Sequence, residues 1–370
     1  MTELEALITL NQLPKIGPIR IRSLLDRFGS ATDILDQNLS SLTSTPGIGP
    51  ETAHFITHWE EHSDTKSEIS LASQREIQII CQKDPLYPAT LRQFPDAPVI
   101  LYVWGNILPE DTESIGIVGS RKLTHYGRES ARKLSFQLAG AGLTIISGLA
   151  RGIDTAAHEG ALAANGRTIA VIGSGLLQIY PSENIALCEK ITNGQGAIIS
   201  EFPLKTPPSK QTFPQRNRIV AHWSQGLLVV ECPKRSGSLI TANLASEAGR
   251  TVYAVPGPID RPTSAGCHEL IRDGATLITD GSQILDDYGF FPIRSGNHGT
   301  QPCESGKQKI NLPEDEQTLL QALCHEQQHI DELALKTTLP PSLISVLLMK
   351  LELKRLVSSH PGQRYSTRHS

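Results

Sequence analysis

From residue 114 to residue 288 the sequence keeps one rhythm that few folds can satisfy: short apolar runs alternate with helix-forming stretches. The runs are SIGIVGS (114–120), LTIISG (143–148), RTIAVIGSG (167–175), GAIISEF (196–202), GLLVVEC (226–232), TVYAVPG (251–257) and TLITD (276–280). Between them lie segments such as YGRESARKLSFQLAGAG and SLITANLASEAG, whose composition favours helices. Strands that read as near-continuous Val, Ile and Leu, separated by helices, predict an α/β fold with a parallel sheet covered on both faces. Ligands of such sheets sit beyond the carboxyl ends of the strands, at helix N-termini. Several of the runs end there in GSR, SGLARG, GSG or SGS, so a site is expected at that edge.

The flanks differ in kind. Residues 1–65 contain two related units, LPKIGPIRIRSLLDRFGS and TPGIGPETAHFITHWEE, each placing a small IGP hairpin before an amphipathic helix. This is the pattern of a helix-hairpin-helix (SAM-like) all-α domain, whose hairpin glycines let backbone amides approach a phosphate. Its net charge of −5 opposes that use, because affinity for DNA depends on phosphate neutralisation. A structural or protein-contacting module is the expectation. Residues 66–288 form the expected sheet domain; residues 289–312, rich in Gly, Ser, Pro and Gln, read as a linker, and the two stretches together (66–312) carry +2. Residues 313–370 carry −1 and show three helical patterns, then VSSHPGQRYS, a two-stranded wing turning at Pro361-Gly362. Three helices and a wing describe a winged helix, whose recognition helix (341–355) has Lys350, Lys354 and Arg355 only at its end.

Of the 370 residues, 39% are hydrophobic and 19% charged, ordinary values for a globular chain with room for two or three domains. No apolar stretch approaches the roughly 20 residues that span a bilayer, and the acidic start MTELEALITL lacks the features of a signal peptide. The six cysteines are dispersed, without CxxC pairs or histidines at zinc spacing. Reduced thiols, a cytoplasmic location, no membrane partner and no metal are therefore expected. The net charge of −4 means that attraction for a polyanion must be local and must lie in the middle of the chain.

Complete nucleotide motifs are absent. There is no GxxxxGK[ST], and GSGLLQ (173–178) has Gln178 where a dinucleotide loop needs its third glycine, so no cofactor is expected. GIVGSR instead ends a strand with Gly119 for the turn, Ser120 for a hydrogen bond and Arg121 for a phosphate. SGLARGIDTAAHEGA repeats the arrangement, with Ser147 and Gly148 offering backbone amides and Arg151 a charge; Asp154 and His158 are spaced i,i+4 and predict a helix-stabilising contact. Ser236, Gly237, Ser238 and Thr241 open a helix with exposed N–H groups and hydroxyls, an anion cradle. The stretch SKQTFPQRNRIVAHW gathers Lys210, Phe213, Arg216, Asn217 and Arg218, with Pro214 placed to begin a helix and Phe213 just before it. Arg216 and Arg218 fall about 200° apart on a regular helix. One therefore faces the site and the other braces the turn. A ring flanked by cations is what single-stranded nucleic acid needs.

These motifs, in order, closely resemble the DNA-processing protein A (DprA/Smf) family: GIVGSRKLTHYG, SGLARGIDTAAHEGAL, TIAVIGSGLLQIYPSEN, ISEFPLKTPPSKQTFPQRNRIVA, LVVECPKRSGSLITA and EAGRTVYAVPG…GCHELIRDGA. The likeness spans roughly residues 85–285. It implies an extended Rossmann-like sheet that binds single-stranded DNA without catalysis and passes it to the RecA recombinase during natural transformation. It also implies a homodimer, for which His268, Leu270, Ile271 and Leu277 are the candidate surface. Leu177 stands where the family usually has Asp, and His268 where Asn is frequent. Two other readings stay open. SGSLITANLASE is fainter kin to nucleotide phosphoribohydrolases of the lysine-decarboxylase-like superfamily, with Glu247 in the candidate position but the PGGxGTxxE motif missing. The winged helix alternatively suggests a regulator bound to duplex DNA.

Overall fold

The structure is a computed structural model; it describes residues 1–289 and, beyond them, residues 319, 323, 328–337, 340, 343, 344, 347, 348, 351, 357–360 and 364–367. The rest of the expected linker (290–312), Lys350, Lys354, Arg355 and the Pro361-Gly362 turn lie outside the described residues. The chain divides into two compact units, Met1–Ser295 and Gly296–Ser370.

In the first unit each of the seven expected runs forms a strand: β3 (Ser114–Gly119), β4 (Thr144–Ser147), β5 (Thr168–Val171), β6 (Gly196–Ser200), β7 (Gly226–Val230), β8 (Thr251–Ala254) and β9 (Thr276–Leu277). Two further strands, β1 (Ile77–Cys81) and β2 (Ile100–Gly105), precede them. The nine-stranded sheet has the order β1-β2-β6-β5-β4-β3-β7-β8-β9. From β6 to β9 every pairing is parallel, whereas β1 and β2 are added antiparallel at one edge. Strands β3 to β7 are buried on both faces along nearly their whole length, which is why they read as unbroken Val and Ile runs instead of alternating ones.

The order reverses at β3, between β4 and β7, and the helices that follow these strands bring their N-termini toward that point. They are α9 (His125–Gly140) after β3, α10 (Ile153–Ala163) after β4, α12 (Thr212–Trp223) after β6 and α13 (Gly237–Glu247) after β7. The short helices α8 (Ala89–Arg92) and α11 (Ile185–Lys190) fall between, and α14 (Ala265–Arg272) and α15 (Gly281–Asp287) close the unit. Close approach of two loops locks the reversal point. Gly152, at φ 89°, caps α10 against Ser120, whose carbonyl accepts the Ile153 amide at 3.1 Å. A side chain at Gly152 would collide with the Ser120 carbonyl and the Arg121 backbone.

Residues 1–74 form α1 (Glu3–Gln12), α2 (Pro18–Phe28), α3 (Ala31–Leu35), α4 (Leu39–Thr43), α5 (Pro50–Thr57), α6 (Trp59–His62) and α7 (Thr65–Gln74). Helices α2 and α5 begin with the two hairpins as their sequences dictate, Gly17 and Gly49 as caps and Pro18 and Pro50 in the first turn. The hairpins are tied to each other by the Lys15–Glu51 ion pair. The helical layer shares a hydrophobic core with the sheet, in which Leu10, Leu24 and Ile56 join Tyr102, Ile172 and Ile198. Polar contacts fasten it to the segment before α12: Asn11 Nδ2 donates to the Glu201 carbonyl (3.0 Å), and the Leu204 amide donates to the Glu68 carboxylate (2.7 Å).

In the second unit, helix Ile330–Thr337 and a three-stranded antiparallel sheet enclose Leu319, Leu323, Leu333, Ile344, Leu347, Leu348, Leu351 and Val357. Val357–His360 pairs with Arg364–Thr367, giving the expected wing. Among the described residues no helix is long and apolar enough to cross a membrane, and no cluster of three or more His, Cys, Asp or Glu is placed to hold a metal.

Candidate nucleic-acid interface

At the reversal point the strand ends open into a concavity of about 500 Å³. It gathers ten of the residues picked out in the sequence: Gly119, Ser120, Arg121, Lys210, Phe213, Arg216, Asn217, Ser236, Gly237 and Ser238. They come from β3, the segment before α12, α12 itself and the start of α13. Local chemistry holds several of them in place. Ser120 is pinned by its amide on the Glu231 carbonyl (2.8 Å), and its hydroxyl accepts the Lys122 amide (3.1 Å), which leaves Arg121 projecting into solvent. Gly119 has no room for a side chain, because a Cβ would meet Ile153 and the Val230 carbonyl. Ser236 caps α13 by accepting the Ser238 amide at 3.2 Å, and Gly237 is exposed.

The Arg121 guanidinium lies 5.1 Å from the centre of the half-buried Phe213 ring, a cation–π arrangement. Tyr180, 44% exposed, stands 5.9 Å from the same ring, tilted by 49°. Helix α12 starts at Thr212, two residues earlier than Pro214 suggested, so Phe213 sits inside the first turn and not before it. The proline is tolerated there because the first N–H groups of a helix have no internal partner. Thr212 fastens the turn by donating to the Gly173 carbonyl at 2.5 Å. Gly173 is required for that approach, since a Cβ would lie 2.9 Å from the Phe213 ring. The GSG of residues 173–175 is thus a packing device.

The two arginines divide as their spacing requires. Arg216 points toward the concavity but is 4% exposed; its Nη1 donates to the Val171 carbonyl at 3.0 Å, and burial pulls its pKa down to about 10. Arg218 turns to the other side of α12, pairing with Glu201 and lying 3.7 Å from Asp96. Burial raises the Glu201 carboxyl and Arg218 opposes that shift. Arg218 therefore braces the turn and does not line the concavity.

Three other expectations meet a different geometry. Ser147 is fully buried and donates to the Ile117 carbonyl (2.6 Å), and the Gly148 amide is taken by the Asp154 carboxylate (3.2 Å). Neither residue lines the concavity, and the Gly148 amide, committed to Asp154, is no anion cradle. Asp154 and His158 do not contact each other as a pair: Asp154 also accepts the Ala150 amide (3.3 Å), while the buried His158 ring bonds Thr168 at 2.7 Å. Burial lowers the His158 pKa to about 3. Glu247 ends α13, roughly 15 Å from the helix start at 1.5 Å per residue, well away from the concavity. Leu177 packs against the core shared with the N-terminal helices.

Sequence reasoning missed Lys122, Tyr180 and Ile240. Lys122 and the exposed Ile240 line the concavity. Tyr180 was readable in IYPSEN as an aromatic before proline, but nothing local ties it to Phe213, 33 residues away. At the far edge of the sheet, Leu270 and Ile271 are half-buried against the core, and His268 Nε2 lies 2.9 Å from the Gly257 carbonyl. Leu277 stands 46% exposed on the two-residue edge strand β9.

Fold and site together define a Rossmann-like α/β protein with an open, cation-rimmed mouth, whose chain also carries a helix-hairpin-helix layer and, as a separate unit, a winged helix. The family model for DNA recombination-mediator protein A matches residues 78–289, that for the DprA winged helix domain residues 305–363, and that for the SAM-like helix-hairpin-helix tandem residues 7–57. The chain is 32% identical to Protein Smf of Synechocystis across 97% of both chains. It is 44% identical to DNA processing protein DprA of Streptococcus pneumoniae over 56% of this chain and 73% of that one. The crystal structure of the pneumococcal protein matches with a TM-score of 0.66 at 34% identity, covering 78% of this chain and 98% of that chain. A structure describing the single-stranded DNA binding mode of DNA processing protein A from Helicobacter pylori matches at 0.51 and 28%, covering 57% of this chain and 95% of that one. The chain belongs to the DNA-processing protein A (DprA/Smf) family.

Proposed function

We propose that this protein binds single-stranded DNA in the concavity, holds it without cleaving it, and passes it to the RecA recombinase during DNA uptake. The observation that carries the reading is the Arg121–Phe213 pair at the mouth, a ring for a base beside an exposed cation for a phosphate. Lys210 and the exposed Gly237 amide supply further phosphate contacts, and Asn217 an amide for a base edge. Tyr180 extends the stacking surface. The reading without catalysis draws support from Asp154, the one carboxylate on the lining among the described residues, which is committed to two backbone amides. Two copies pair through α14 and β9, where Leu277 offers an apolar side chain on an unpaired strand edge. The H. pylori relative, whose structure is described by its single-stranded DNA binding mode, supports the choice of ligand.

The test is a titration of single-stranded and duplex oligonucleotides at two salt concentrations with wild type and Arg121→Ala. Preference for single strands, and a salt slope shallower by about 0.7 in the variant, are expected. Equal affinity for duplex with an unchanged slope would overturn the assignment.

A further inference from the structure

Beyond Arg121 and Lys122 the surface does not flatten but falls into a second groove of about 440 Å³, which those two residues also line. The new wall is Arg128 on α9, Arg151 just before α10, Glu159 within α10 and Glu183 just before α11. The charge is not balanced. Both acids are already neutralised, Glu183 by the forked Arg151 pair and Glu159 by Arg132 at 4.0 Å. Among the described residues Arg121, Lys122 and Arg128 have no carboxylate partner. Three uncommitted cations therefore follow one another from the mouth of the concavity into the groove, which has no aromatic residue in its lining.

We infer that this groove is a second subsite for the sugar–phosphate backbone of a single strand, centred on Arg128 and continuous with the concavity across Arg121 and Lys122. The inference rests on the reading of the concavity given above and adds an exit path and a longer footprint. A surface with cations and no ring takes phosphates and leaves the bases unread, so the contact is independent of sequence. Stacking belongs to the first site and charge to the second.

Oligothymidylates of about 4 and about 12 nucleotides separate the two, since a short strand fills only the first site. Wild type, Arg128→Glu, Arg121→Ala and Lys133→Glu are compared at two salt concentrations; Lys133 lies on the same helix but pairs with Asp280 off the groove, and its reversal makes the same change in net charge. Arg128→Glu is expected to bind the short oligomer within about twofold of wild type. It should bind the long one about 5- to 10-fold more weakly, with a salt slope shallower by about 0.7 per lost phosphate contact. If Arg128→Glu matches wild type on the long oligomer, or Lys133→Glu weakens binding as much, the subsite is overturned while the first site stands. If Arg121→Ala changes neither length, the reading of the concavity itself fails and the subsite falls with it.

Discussion

The Arg216 guanidinium lies against the backbone of Gly148, so close that a Cβ at position 148 would overlap its Nη1. The contact joins the end of β4 to the first turns of α12, across 68 residues of sequence, and it places a buried cation under the site. Gly148→Ala forces the guanidinium out of its seat. Overpacking of this kind costs about 1 to 3 kcal/mol, and a matching fall in the urea midpoint is expected. In an Arg216→Ala background the same glycine change should cost little, so the two effects are less than additive. Strict additivity in a double-mutant cycle would contradict the contact.

Stability should fall in acid because of His158. Its folded pKa lies at about 3 against an ordinary 6.5, because burial disfavours the charged ring. A depressed histidine stabilises the fold above the unfolded pKa, and that contribution is lost as pH falls from about 6.5 toward 3. His158→Gln keeps a polar group for Thr168 and does not titrate. Urea unfolding at pH 7 and pH 4.5 should show a smaller loss for the variant than for wild type; an equal loss would assign the acid sensitivity elsewhere.

Two rings at one mouth predict a graded response. Phe213→Ala should weaken single-strand binding by about 1 to 3 kcal/mol, the range for one lost stacked base. Tyr180→Ala should weaken it less, since that ring is the more exposed, and Phe213→Trp should restore most of the affinity. Fluorescence anisotropy with one labelled oligomer ranks all three. Binding by Phe213→Ala that equals wild type removes the ring from the account.

Leu277→Asp adds a charge to the strand edge proposed to pair two copies, at a side chain already 46% exposed. Its effect on folding should be slight, within about 0.5 kcal/mol for a surface position. Sedimentation equilibrium should then report a weaker self-association than wild type. Unchanged association at equal stability would move the interface off β9.

Much of this architecture was legible, and the gaps have physical causes. The strands β3 to β9 announced themselves because each is an apolar run followed by a helix. Strands β1 and β2 did not: they are antiparallel, and the 18 residues between them hold only the four-residue α8, so no βαβ rhythm marks them. The division between Arg216 and Arg218 followed from helical geometry alone. Which one braced did not, because Glu201 and Asp96 are brought beside Arg218 only by the tertiary fold. Ser147 and Gly148 were misplaced for a related reason. A strand-end glycine reads as an anion cradle until Asp154, on the next helix, is seen to take its amide.

The central claim is that a strand lies on the Phe213 ring, and photo-cross-linking reads that contact directly. A single-stranded oligomer of 5-iodouridine is irradiated with the full-length protein, and the adducts are mapped by mass spectrometry. Adducts on Phe213 or Tyr180, suppressed by unlabelled single strand and not by duplex, are the predicted result. Adducts confined to the winged-helix segment, with none on either ring, would contradict it.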